Sequence, residues 1–369
     1  MKDERELLYN IAITLVPEIG DIRAKSLIAY CGSAEAVFKE KQGKLLKIPG
    51  IGSIVAKAIA EANVMKRAEE EVKFIRKHKI TTLFYTDPAY PRRLLHCEDS
   101  PVLLYYKGNA DLNSSRIVSI VGTRKATAYG KAICQKLIAD LTQMNVLVVS
   151  GLAYGIDICA HKAAIENGLQ TIGVLAHGLD RIYPGVHAPV AKKMIGSGGL
   201  LTDFPSCTNP DRENFPKRNR IVAGMSDAVI VVEAGAKGGA LITADLGNSY
   251  HRDVFAFPGR VDDEFSEGCN FLVKTNRAAL IQSAKDIAYI MGWEEKKEKE
   301  KKNIQPRLFV NLGEEEQVIV DVLKNKGRVN IDELSILSKL PMSKTATLLL
   351  NLEFSGLVRS LPGKMYQLN

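Results

Sequence analysis

The strongest chemical signal is a run of seven residues, Asn214-Phe215-Pro216-Lys217-Arg218-Asn219-Arg220. Three cations and one ring stand together just ahead of the apolar stretch Ile221-Val222-Ala223. Cations at a helix N-terminus are unfavourable unless an anion is bound there. Phosphate contacts beside a base-stacking ring have this make-up. Two glycine turns add to it. Val121-Gly122-Thr123-Arg124 sets an arginine fork on a turn before a helix. Ser150-Gly151-Leu152-Ala153-Tyr154-Gly155-Ile156-Asp157 is the second turn. Both are expected to aim backbone N–H groups at one crevice, which suits an anion. A third turn, Glu233-Ala234-Gly235-Ala236-Lys237-Gly238-Gly239, brings Lys237. Glu233 and Asp157 are the carboxylates near this crevice. A carboxylate pair can do acid–base work, but such residues more often orient neighbouring cations and backbone groups.

Several chemistries are excluded by spacing. After the first glycine turn a dinucleotide fold needs GxGxxG, which is absent. Gly130-Lys131 is followed by Ala132, so there is no P-loop. Ser150 lies in Val-Val-Ser-Gly-Leu, not in a GxSxG elbow. The six cysteines, at 31, 97, 134, 159, 207 and 269, form no CxxC pair. That fits a reducing, cytoplasmic setting and argues against zinc. No cofactor and no metal is expected.

The elements that must hold these turns follow from hydrophobic pattern. Apolar runs at 116–122, 145–151, 170–178, 199–204, 228–234 and 253–259 alternate with amphipathic stretches. Near-continuous Val/Ile runs are strands buried on both faces, so the alternation predicts a doubly wound parallel sheet over residues 81–293. Ligands bind at the carboxyl ends of such strands, where the glycine turns lie. A short strand or two is expected ahead of it, over 81–115.

The first 80 residues read as helical. Pro17-Glu18-Ile19-Gly20 and Pro49-Gly50-Ile51-Gly52 each precede an apolar-periodic helix, 32 residues apart. This resembles a tandem helix-hairpin-helix, in which the turn and helix start offer N–H groups to a phosphate. Gly50 and Gly52 are therefore possible secondary nucleic-acid contacts. The other reading is that Pro and Gly only punctuate a helical bundle. Residues 294–306 begin with an apolar-free Glu/Lys run, expected to be a linker. Residues 307–369 read helix, helix, helix, hairpin, with Asn330 capping the second helix, as in a winged helix.

The 369 residues, 46% hydrophobic and 25% charged, suit two or three soluble domains. No apolar run spans a bilayer, and the N-terminus shows no secretory signal. The net charge of +8 favours a polyanionic partner, but no segment is a polycation. Binding must therefore rest on a local cluster.

The motifs VGTRKATAYG, SGLAYGIDICAH, FPKRNRIVAG, VVEAGAKGGALITA and GCNFLVKT stand in the order of the DNA-processing protein family, DprA or Smf. The resemblance covers about residues 82–292. It implies an extended Rossmann core, with a helix-hairpin-helix or SAM-like domain before it and a winged helix after it. It further implies non-catalytic binding of single-stranded DNA, loading of the RecA recombinase in natural transformation and recombination, and dimerisation through the core. The family's DNA contacts carry over to Arg124, Lys217, Arg218 and Arg220, with Phe215 for stacking. Gly122, Ser150, Gly151, Gly155, Asn219 and Lys237 complete the expected site. Four positions depart from the family pattern: His177, His187, Asp203 and Gly238. The last removes a hydroxyl from the phosphate side.

Two other classes fit the residues less well. A phosphoribohydrolase-like enzyme carries PGGxGTxxE; here the turn AGAKGGALITA lacks the acid. A duplex-DNA regulator needs a basic recognition helix, and SKTATLLLNLEFS has one Lys and no Arg.

Overall fold

The computed structural model describes residues 3–294, 312–361 and 364–368. It forms two compact units, divided at Glu294/Glu295. The linker expected over 294–306 lies, beyond Glu294, outside the described residues.

Six helices open the chain: α1 (Glu4–Leu15), α2 (Asp21–Cys31), α3 (Ala34–Lys39), α4 (Gln42–Leu45), α5 (Ser53–Ala60) and α6 (Met65–His78). The 32-residue repeat is one of backbone conformation. Glu18 and Gly50 both adopt positive φ, 67° and 79°. Ile19 N bonds Val16 O as Ile51 N bonds Ile48 O, and Gly20 and Gly52 each begin the next helix. The helices bury Ile11, Leu27, Val37, Leu45, Val55 and Ile75, and the same cluster takes in Phe84, Leu103 and Tyr105. They therefore pack on the first two strands of the sheet.

Those strands are β1 (Thr81–Phe84) and β2 (Leu103–Gly108), with α7 (Arg92–Leu95) between them. Next come β3 (Ile117–Val121), α8 (Ala128–Leu141), β4 (Leu147–Ser150), α9 (Ile156–Glu166) and β5 (Thr171–Val174). They are followed by α10 (Ala188–Gly196), β6 (Gly198–Thr202), α11 (Asn214–Gly224), β7 (Ala228–Val231) and α12 (Gly239–Ser249). The unit closes with β8 (Asp253–Ala256), α13 (Glu267–Lys274), β9 (Ala279–Leu280) and α14 (Ala284–Ile290). The sheet order is β1-β2-β6-β5-β4-β3-β7-β8-β9. From β6 to β9 all pairings are parallel, and β1 and β2 add antiparallel at one edge.

Each expected strand is present, and β3, β4 and β7 are buried throughout. On one face Val118, Val148, Ile230 and Phe255 meet Leu137, Ala160 and Ile287 of α8, α9 and α14. On the other, Ile117, Val149 and Val229 meet Ile221, Val222 and Ala244 of α11 and α12. The chain runs outward from β3 to β6 and returns to β7 beside β3. That reversal opens the crevice at which α/β sheets bind ligands.

The second unit contains α15 (Glu314–Lys326), β10 (Val329–Asn330), α16 (Ile331–Ser338), α17 (Met342–Phe354), β11 (Val358–Leu361) and β12 (Met365–Leu368). Ile319, Leu323, Leu334, Leu349 and Leu352 form its core. Asn330 Oδ1 accepts from Glu333 N at 2.7 Å, the expected cap. Strand β10 has two residues and leaves no periodic trace in sequence. Among the described residues, no helix is long and apolar enough to cross a membrane.

Candidate nucleic-acid interface

Three loops meet at the carboxyl ends of β3, β4 and β7. Thr123 N donates to Glu233 O at 2.7 Å, and Ile156 N donates to Thr123 O at 3.2 Å. Gly155 has φ +78°, and a Cβ there would lie 2.1 Å from Thr123 O. Only glycine fits this contact. Gly122 stands at the end of β3, where the chain turns against Ile156 of α9. Glu233 is 2% exposed. Its carboxylate accepts from Thr127 N at 2.9 Å and Thr127 Oγ1 at 2.5 Å. Thr127 is the N-cap of α8. Glu233 thus fixes the helix start that follows Arg124, and both its oxygens are engaged.

The second turn differs from expectation. Asp157 accepts from Gly151 N at 3.1 Å and Ala153 N at 3.4 Å. The chain's own carboxylate occupies the N–H groups expected to meet a ligand. Burial raises the Asp157 carboxyl above the usual range, against the opposing charge of Arg218. Ser150 is fully buried, and its hydroxyl donates to Ile120 O at 2.6 Å. It joins β4 to β3 and offers nothing to the crevice.

The cations of α11 separate by environment. Arg218 is 4% exposed. It lies against Gly151 and donates to Val174 O, while its Nε is buried without a partner. Desolvation lowers its guanidinium to about 10, with Asp157 opposing the shift. It remains a cation at neutral pH, on the floor of the crevice. Arg220 is committed elsewhere. It pairs with Asp203 at 2.6 Å and Asp21 at 2.9 Å, and donates to Asp99 O. Asp21 belongs to α2, so Arg220 braces the helical region on the sheet rather than standing open to phosphate. Asp203, a departure from the family pattern, is half of that brace. Asn219 is 9% exposed and donates to Gly239 O at 3.4 Å, tying α11 to the start of α12.

The accessible residues form a cation-and-ring surface. Arg124 is exposed and lies over the Phe215 ring at 5.1 Å. Tyr183 stands 6.1 Å from Phe215 and is 47% exposed. The Lys217 side chain is 59% exposed, with a 3.9 Å approach to Glu213. Lys237 is exposed in the loop after β7. Sequence reasoning missed three residues here. Tyr183 is one. Tyr154 is another, 49% exposed and edge-on to His187 at 5.0 Å. The third is Arg212, exposed at the turn before α11, with no ion pair among the described residues. A ring or cation next to a glycine- or proline-rich turn was the signal available for each.

The two departing histidines shape this surface. His177 Nδ1 donates to Gly178 O at 2.9 Å, and its Nε2 accepts from Tyr183 N at 3.2 Å. This neutral tautomer holds the Tyr183 loop, and burial lowers the imidazole's pKa. His187 Nδ1 donates to Leu152 O at 2.9 Å. Gly50 and Gly52 sit exposed on their hairpin in the helical region, apart from these three loops. No group of His, Cys, Asp or Glu among the described residues could hold a metal ion.

A doubly wound sheet with cations and rings at its switch point defines a Rossmann-like protein. The particular family follows from comparison. Residues 81–292 match DNA recombination-mediator protein A, and residues 306–364 match the DprA winged helix domain. Protein Smf of Synechocystis is 35% identical over 295 residues, covering 78% of this chain and 73% of that one. The crystal structure of DNA processing protein A from Streptococcus pneumoniae superposes with TM-score 0.66 at 32% identity, covering 76% of this chain and 97% of that one. DNA processing protein A of Helicobacter pylori, which binds single-stranded DNA, superposes with TM-score 0.53 at 29% identity, covering 58% and 95%. The chain belongs to the DNA recombination-mediator protein A family.

Proposed function

We propose that this surface binds single-stranded DNA and that the protein delivers the strand to a recombinase without chemical turnover. The observation that carries the reading is Arg124 over Phe215 at 5.1 Å. A guanidinium fork lies over a ring, which brings a phosphate donor and a stacking group within reach of one nucleotide of a flexible strand. Lys217, Arg212 and Lys237 supply further cations around them. Arg218 adds buried positive charge beneath, and Tyr183 extends the stacking surface. A rigid duplex keeps its bases stacked inside and cannot use the rings.

Family membership supports the second half of the reading: loading of RecA onto strands taken up in transformation or exposed in recombination. It also supports a homodimer formed through the sheet core. The absence of turnover rests on chemistry. Glu233 and Asp157, the carboxylates available for acid–base work, are engaged by Thr127 and by the Gly151 and Ala153 N–H groups.

Gel-shift titration with single- and double-stranded oligonucleotides at two salt concentrations tests the binding. Preference for the single strand is expected, with weak sequence dependence and affinity falling as salt rises. Equal affinity for duplex would refute it. The purified protein should also speed RecA filament formation on strands coated by single-strand-binding protein. It should leave DNA, ATP and nucleoside monophosphates unchanged. A nuclease, ATPase or base-releasing activity abolished by Glu233→Gln would make it an enzyme instead.

A further inference from the structure

Helix α6 of the helical region holds a loop of the sheet core through one ion pair. Glu71 is 1% exposed. Its carboxylate accepts from Ser206 N at 3.0 Å and from Ser206 Oγ at 2.5 Å. Arg67, one turn earlier, donates to Glu71 at 2.7 Å and to Ser206 O at 2.6 Å. The two side chains thus grip both the N–H and the C=O of a single residue, 135 positions beyond Glu71. Taking a carboxylate out of water offsets much of what such contacts return, so the pair is weak evidence for stability. What it fixes is position.

Ser206 lies in the segment 203–213, which joins β6 to α11 and carries Arg212. The next residue, Cys207, is held left-handed at φ 66°, a conformation that a side chain resists and that the surroundings must impose. Its N–H donates to Asp180 Oδ1 at 2.9 Å. Asp180 and Arg181 belong to the loop after β5, which carries Tyr183. Arg181 donates to Asn209 Oδ1 at 2.7 Å, and Asn214, the first residue of α11, donates to Asn209 O at 3.1 Å. A Cβ on Gly178 would lie 2.4 Å from Pro205 O, so the two loops meet backbone to backbone. One chain of contacts therefore runs from Glu71 through Ser206 to the loops of Tyr183 and Arg212 and to the start of α11. We propose that Glu71 and Arg67 are positioning residues for the strand-binding surface, setting through Ser206 the two loops that carry Tyr183 and Arg212. This rests on the reading of that surface as a single-strand site. The helical region thereby acts on binding through the loops.

The test uses the full chain with Glu71→Ala and, as a milder change, Ser206→Ala, which leaves Arg67 and Glu71 paired. Trypsin cleaves after exposed cations, and Arg181 and Arg212 are exposed in the two loops. Under native conditions, with sites read by mass spectrometry, both variants should be cut at least about threefold faster after Arg181 and Arg212, with the rate after Lys237 unchanged. This readout needs no DNA and decides the loop contact by itself. On single strands Glu71→Ala should bind about tenfold more weakly. That loss should fall below about twofold in the background of Tyr183→Ala with Arg212→Ala, and stay near tenfold in that of Lys237→Ala. Failure of the strand reading would show separately, as equal affinity of the wild type for duplex. A general loss of structure would speed cleavage at all three sites and weaken binding equally in both backgrounds, which overturns the proposal. Wild-type rates of cleavage after Arg181 and Arg212 in both variants overturn it as well.

Discussion

The guanidinium of Arg218 fills the space that a side chain on residue 151 would need: a Cβ there would lie 2.2 Å from Nη1 and 2.4 Å from Nη2. The glycine of the second turn thus serves an arginine 67 positions later rather than a ligand. Gly151→Ala should displace Arg218 and cost about 1–3 kcal/mol of stability by overpacking. Arg218→Ala should cost more, about 3–5 kcal/mol, because it leaves the buried Asp157 without its cation. Urea unfolding checks both. A stable, well-folded Arg218→Ala protein would show that Arg218 is not structural.

The exposed contacts should separate from the buried ones. Arg124→Ala should leave stability within about 0.5 kcal/mol. It should weaken single-strand binding across sequences and reduce the slope of log K against log salt by about 0.7. Phe215→Ala should cost about 1–3 kcal/mol of binding through lost stacking, with the salt slope unchanged. Fluorescence anisotropy at several salt concentrations distinguishes the two. Identical slopes for Arg124→Ala and the wild type would remove Arg124 from the phosphate contacts.

His161 sets a pH dependence. It is fully buried, its Nδ1 shares a 2.7 Å hydrogen bond with Thr171 Oγ1, and burial lowers its pKa to about 3, with Arg218 and His187 adding to the shift. The unfolded chain takes up this proton near pH 6.5 and the folded chain does not. Stability should therefore be intact above pH 6.5 and fall as pH drops towards 3, by up to about 1.4 kcal/mol per pH unit from this group. His161→Gln should be costly at pH 7 and progressively less so at pH 5. Urea midpoints that stay equally far apart at both values would contradict this.

The two hairpins of the helical region predict opposite responses to exchange. Glu18 holds a left-handed conformation that Gly50 holds without a side-chain penalty. Glu18→Gly should therefore stabilise the protein by about 0.5–1 kcal/mol, and Gly50→Ala should destabilise it by a similar amount. Thermal melts of the two variants should move in opposite directions. Movement in the same direction would mean that contacts of the Glu18 side chain, not backbone strain, decide the matter.

Much of this protein is legible in one dimension. The strands over 117–121, 147–150 and 228–231 show as Val/Ile runs because both faces of a parallel strand are buried. The helix-hairpin repeat and the Asn330 cap show because turns and caps depend on neighbouring residues. The cluster around Phe215 and Arg124 shows by residue type, although the run expected just ahead of a helix itself forms the first turns of α11. Which of those cations remains accessible was decided only by the tertiary structure. Lys217, Arg218 and Arg220 look equivalent in sequence, yet one is exposed, one lies buried against Gly151, and one is bound to Asp203 and Asp21. Asp21 lies 199 residues away from Arg220. The same holds for Ser150 and Gly151, whose polar groups are met by Ile120 and Asp157. A residue's charge is written in its type, but the partner that neutralises it is set by folding, because desolvation forces each buried polar group to find a mate wherever the chain returns.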